Sequence, residues 1–62
     1  MKLFVPRTLA IEHPRIGQKL GEEPAAIPDV FRSGYVVDVD RVHEPAFWRL
    51  TAKAFGLETV DG

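Results

Sequence analysis

Hydrophobic and polar positions alternate most clearly between Gly34 and Asp40, GYVVDVD. Side chains on a strand point to opposite faces at every second residue, so Tyr35, Val37 and Val39 share one face and Val36, Asp38 and Asp40 the other. The pattern predicts a strand with aromatic and β-branched groups inward and two carboxylates toward water. The period then changes. Pro45 suits the first helical turn, because its φ is already helical and its missing N–H would have no partner there, and this leaves Glu44 or His43 as the cap. At 100° per residue, Phe47, Trp48, Leu50, Thr51, Ala54 and Phe55 fall within about half the helical circle, with Arg49 and Lys53 opposite. Phe47, Leu50 and Ala54 lie near the centre of that arc and Trp48 near its edge, which predicts Trp48 at the boundary of the core. Gly56 follows the last periodic residue and can take the left-handed conformation that ends a helix, and Leu57 is placed for the accompanying apolar contact. A C-terminal amphipathic helix over about residues 45–55 is therefore expected.

The first half carries mixed signals. Leu3, Val5, Leu9 and Ile11 share an odd-numbered face, interrupted by Arg7, which suggests an extended segment over residues 2–12. Proline cannot donate to a ladder, so Pro6 makes this an edge strand or divides it. Residues 13–29 hold three prolines and two glycines around Glu22 and Glu23, a loop-rich composition in which Ile16 and Leu20 could share one side of a short strand bracketed by Gly17 and Gly21. In PDVFRS, Pro28 to Ser33, a proline at a first helical position, Asp29 in the first turn and Gly34 just beyond suggest one turn of helix that delivers Val30 and Phe31 to the core.

Together these elements predict an α+β fold, a small two- or three-stranded sheet with the C-terminal helix packed across one face, in a single small domain over residues 1–62. A chain of this length buries only about 60% of the surface its unfolded form exposes. With no cysteine there is no disulfide to restrain the unfolded state and no thiolate metal site. Good packing, self-association or a larger partner must compensate. Basic and acidic side chains number eight and nine and are interspersed, so no field of one sign exists to recruit a polyanion or a membrane surface. The chain opens at Met1 without an apolar leader pattern and its apolar runs are short, which places it in the cytoplasm as an expectation.

Candidate chemistry is sparse. His13 and His43, beside Glu12 and Glu44, could form a two-histidine carboxylate site if two loops met, but neighbouring residues on extended backbone point opposite ways. The Asp38, Val39, Asp40 triplet puts two carboxylates on one strand face, a pattern that a solvated face explains. Ser33 has no base nearby in sequence, and a serine ahead of glycine is turn chemistry. Gly17 to Gly21, GQKLG, lacks the spacing of a phosphate-binding loop. No catalytic residue, cofactor or metal site is expected.

The function expected by this elimination is that of a small non-enzymatic protein-protein interaction module, acting as a homo-oligomer or as an accessory subunit of a larger assembly. Its size suits a phage or mobile-element gene. Candidate partner-binding residues are Phe4 and Val5 on the edge strand, whose unpaired backbone groups invite β-pairing, the outward Val36 with Val42, and Trp48 as an aromatic anchor. The alternative is a small nucleic-acid-binding regulator using Arg41, Arg49 and Lys53. It is less favoured, because the aromatic residues sit at core spacing rather than alternating with basic ones.

Overall fold

The alternating stretch becomes the centre of the sheet. In the computed structural model, which describes residues 1–60, the chain runs β1 (Lys2–Pro6), α1 (Arg7–Glu12), α2 (Pro14–Glu22), β2 (Ala26–Asp29), β3 (Gly34–Asp38) and α3 (Pro45–Phe55). β3 pairs antiparallel with both other strands, giving the order β1-β3-β2 in a small α+β fold. The register sets Leu3, Val37 and Ala26 in one cross-strand row and Phe4, Val36 and Ile27 in the next, on opposite faces. Leu3, Val5, Val37 and Val39 point to the inner face. There they meet Ile16 and Leu20 of α2 and Trp48 of α3, and these seven side chains form the core.

The inward set predicted for the central strand is observed, with Val37 and Val39 buried and Tyr35 packed against the cluster. The C-terminal helix also has the expected bounds. Pro45 occupies its first turn, Glu44 is the N-cap residue, and Gly56 takes φ 63°. The Leu57 N–H donates to the Ala52 carbonyl at 3.0 Å while the Leu57 side chain packs on the core, the contact expected of a left-handed helix end.

The helix phase differs from expectation. Trp48 is 1% exposed and Thr51 is buried, whereas Leu50 is 69% exposed and Phe55 is 43% exposed. At 100° per residue Leu50 and Trp48 lie about 160° apart, so Leu50 is at the opposite edge of the apolar arc rather than near its centre as expected, and the arc can be buried through either edge. α1 and α2 already occupy part of the inner sheet face. α3 therefore enters through its Trp48 and Thr51 edge, which brings its largest side chain into the core. The Thr51 hydroxyl is satisfied there by the Phe47 carbonyl at 2.7 Å. Because Leu50 lies outside, Leu50→Ala should change stability by less than about 0.5 kcal/mol. Gly56→Ala should cost about 1 kcal/mol, since an added Cβ is strained at positive φ even though space is open around it. Urea midpoints of the two variants check the pair, and the reverse ordering would overturn the observed helix phase.

The segment expected to be extended over residues 2–12 is instead a strand followed by a helix. β1 is an edge strand that stops at Pro6, which becomes the N-cap residue of α1. Six residues are too few to display a helical period, so Leu9 and Ile11 mimicked strand alternation. The loop expected over residues 13–29 contains α2, because each proline sits where regular structure tolerates it. Pro14 is in the first turn of α2, Pro24 follows the C-cap residue Glu23, and Pro28 lies on edge strand β2. Ile16 and Leu20 do share a face, at the i, i+4 spacing of a helix rather than of a strand. Gly17 permits the close approach of α1 and α2, since a Cβ there would meet the Ala10 carbonyl oxygen at 2.8 Å.

The single helical turn expected over residues 28–33 is instead the end of β2 and the hairpin loop of residues 30–33, and it delivers nothing to the core. Val30 is 79% exposed and Phe31 is 96% exposed. The Asp29 carboxylate accepts the Arg32 N–H at 3.3 Å, Ser33 takes φ 55°, and the Ser33 carbonyl accepts the Arg7 N–H at 3.0 Å. Asp, Ser and Gly thus act as turn residues, in place of the helix signals read from the same letters.

Candidate interaction surfaces

Of the five residues expected to contact a partner, two lie in the core: Val5 is fully buried and Trp48 is 1% exposed, while Val42 is half-buried beside the core cluster. Phe4 and Val36 do lie on the sheet face opposite the core, side by side in register. Phe4 is nonetheless only 9% exposed, because the Arg32 guanidinium lies over its ring at 4.2 Å and Gly34 lies against it. A Cβ at position 34 would meet both the Phe4 ring and the Val5 carbonyl oxygen at 2.5 Å, so Gly34→Ala should cost about 2 kcal/mol. A thermal midpoint equal to that of the native chain would show that the strand and ring can move apart freely.

Neither sheet edge invites β-pairing. The outer side of β1 is occupied by the chain's own C-terminal segment: Phe4 N–H donates to the Glu58 carbonyl, Val60 N–H to the Lys2 carbonyl, both at 2.9 Å, and Leu3 bridges to Thr59. Arg32 pairs with Glu58 at 2.8 Å and ties this segment to the hairpin. Their hydrogen bond raises the Arg32 pKa and lowers that of Glu58. On β2, the Asp38 N–H bonds the Ala25 carbonyl, and antiparallel alternation then turns Ala26 and Pro28 outward. Ala26 gives its N–H to the Glu23 carbonyl at 3.0 Å and Pro28 has none, so the β2 edge offers no free donor. The edge-strand docking expected at Phe4 and Val5 is thereby overturned.

The most connected polar group is Glu23, at the C-terminal end of α2. It is 8% exposed, and its carboxylate accepts the His43 N–H at 2.9 Å and the Ala25 N–H at 3.2 Å, with His43 Nδ1 at 3.1 Å. The bond from the His43 N–H is the main cause holding its pKa below the ordinary carboxylate value, against the opposing effect of burial. Glu23 sits in a cleft of about 190 Å³ with Lys19, Glu44 and Trp48, where Lys19 pairs with Glu44 and lies 5.6 Å from the centre of the Phe47 ring. A carboxylate held ionised by several donors is a poor proton acceptor, and the cluster works as a clip between α2 and the loop before α3. No pattern in the sequence pointed to it, because His43, the source of its main hydrogen bond, lies 20 residues away.

The remaining candidates are dispersed. His13 packs against Phe55 with ring centres 4.8 Å apart, and His43 faces Glu23. Asp38 accepts the Asp40 N–H at 3.1 Å and lies 3.7 Å from Arg41 Nε, while Asp40 pairs with the terminal amine. The hydrogen bond from that amine is the main cause lowering the Asp40 pKa. The structure does not bring these four together, and no group of three potential ligands forms among the described residues. Ser33 is a turn residue, and Gly17 to Gly21 lies within α2.

The side chains that do face solvent were assigned elsewhere by the sequence or missed. Leu50 projects from the outer side of α3. Val30 and Phe31 cap the hairpin. Ile27, 58% exposed, borders with Val36 and Arg41 a trough of about 400 Å³ on the open sheet face. The Asp29, Ser33 and Gly34 turn signature could have placed Phe31 at a tip, while nothing in the helix pattern could have shown which edge of the arc was left over. No helix among the described residues is long and apolar enough to cross a membrane. Compared with known proteins, the chain matches no family model, no curated protein and no solved structure.

Proposed function

We propose that this chain is a small non-enzymatic protein-protein interaction module of the cytoplasm, acting as a homo-oligomer or as an accessory subunit of a larger assembly. The observation that carries the reading is α3. Trp48 and Thr51 are buried on one side of it and Leu50 is 69% exposed on the other. An amphipathic helix normally buries its whole apolar arc, and here the Leu50 edge of that arc is bare. The pinned hairpin that holds Val30 and Phe31 in water adds a second apolar surface.

Light scattering after size exclusion at micromolar concentration, with recovery of stoichiometric partners from the native host, tests this reading. An assembly is expected. A monomer that retains no partner and melts above about 65 °C independently of concentration would overturn it. The nucleic-acid alternative draws on Arg41, Arg49 and Lys53, of which Arg41 lies 3.7 Å from Asp38 and the other two have no ion-pair partner among the described residues. Salt-dependent retention on heparin would favour that alternative.

A further inference from the structure

We propose that the outer face of α3 docks an acidic amphipathic helix of a partner protein, an inference that rests on the interaction-module reading and names the occupant. At 100° per residue, Ala46 and Ala54 flank Leu50 at about 40° on either side, so an exposed apolar strip runs the length of the helix. Lys53 and Arg49 border one side of that strip at about 60° and 100°. Both are exposed, and neither has an ion-pair partner among the described residues. The acid that feels Arg49 is Asp40, which is itself held by the terminal amine. An apolar strip with an unneutralised cationic margin is complementary to a helix with one apolar face and one acidic flank.

The same geometry disfavours other occupants. In an antiparallel two-fold pair of α3 helices the same flank of each helix comes together, which would set Arg49 and Lys53 against their own copies. A parallel pair would set Arg49 beside the other copy's Phe47, whose ring already lies near Lys19. Nucleic acid would answer the two cations and leave Leu50 pressed against phosphates, with no gain for its burial. A partner helix supplies both carboxylates for the margin and leucine-sized side chains to sit over the alanines.

The test uses the full chain and two fluorescein-labelled synthetic helical peptides of about 18 residues, long enough to hold some helix in water. Each carries leucines at i, i+3, i+4 and i+7. One has glutamates on a flank and the other has lysines there. Anisotropy titrations should show the glutamate peptide binding about tenfold or more tightly than the lysine peptide, with affinity falling as salt rises. Leu50→Asp should weaken the glutamate peptide about tenfold, and Arg49→Glu with Lys53→Glu should reverse the preference between peptides. These positions are exposed, so unchanged Trp48 emission will confirm that each variant is folded. Equal affinity for both peptides, no binding, or binding indifferent to Leu50→Asp would overturn the proposal. So would self-association abolished by Leu50→Asp, which would assign the face to a second copy. If the peptides fail while the chain assembles through a surface insensitive to Leu50→Asp, the docking proposal falls and the interaction-module reading stands.

Discussion

Trp48→Ala is expected to leave the isolated chain largely unfolded at 25 °C. Removing a fully buried indole loses its transfer free energy and opens a cavity that the surroundings only partly fill, a combined cost of about 3–5 kcal/mol. Trp48 is 1% exposed, packs edge-on against Phe47 with ring centres 5.0 Å apart, and is the one side chain of α3 in the seven-residue core. A domain of this size without disulfides holds only about 3–5 kcal/mol in total, so the loss matches the whole stability. Far-ultraviolet circular dichroism against urea checks this, since the variant lacks the tryptophan signal. Trp48→Phe should retain a cooperative transition at reduced midpoint. A Trp48→Ala variant within about 1 kcal/mol of the native chain would mean that α3 does not enter the core through this residue.

Glu23→Ala should be the next most damaging change, at about 3 kcal/mol, because it strips the acceptor from two backbone N–H groups, those of Ala25 and His43. The carboxylate also carries a pH signature. Its folded-state pKa lies below the ordinary value of 4.5, so its contribution is fully present above the unfolded pKa and is lost as pH falls through the lower folded-state value. Asp40 and Glu58 are lowered too and titrate in the same acid range, so the native chain alone cannot isolate Glu23. Glu23→Gln can. The stability difference between it and the native chain should be largest near neutrality and shrink below about pH 4. Urea midpoints at pH 7 and pH 3 measure that difference, and one that does not change with pH would show that the clip works without ionisation.

Where local chemistry and tertiary context agree, the fold was legible. The helix Pro45–Phe55 carries its own period, start and stop and appears with the expected bounds, while the alternating strand starts at Gly34 as expected but ends at Asp38, with Val39 and Asp40 in the turn that follows. The segment from Arg7 to Asp29 was opaque for a definite reason. α1 is six residues long, too short to establish a period, and α2 has only Ile16 and Leu20 as apolar anchors, among prolines and glycines that read as breakers although each occupies a tolerated position. The candidate surfaces were less legible than the fold. Val5 and Trp48 went to the core, Phe4 under Arg32, and Leu50 and Phe31 to solvent.

The sequence by itself determined the fold class, the central strand with its inward and outward faces, and the span and both ends of the last helix, because each depends on contacts between residues close in the chain. Only the tertiary structure decided which edge of that helix is buried, how both edges of the sheet are closed, and which carboxylate is drawn inside. Those outcomes depend on what arrives from elsewhere: α1 and α2 on the inner sheet face, the segment from Glu58 to Val60 beside β1, and the His43 N–H 20 residues from Glu23. A periodic pattern states that a face is apolar. Which neighbour covers it, and which side is left for a partner, is settled by the competition among distant elements for one small sheet.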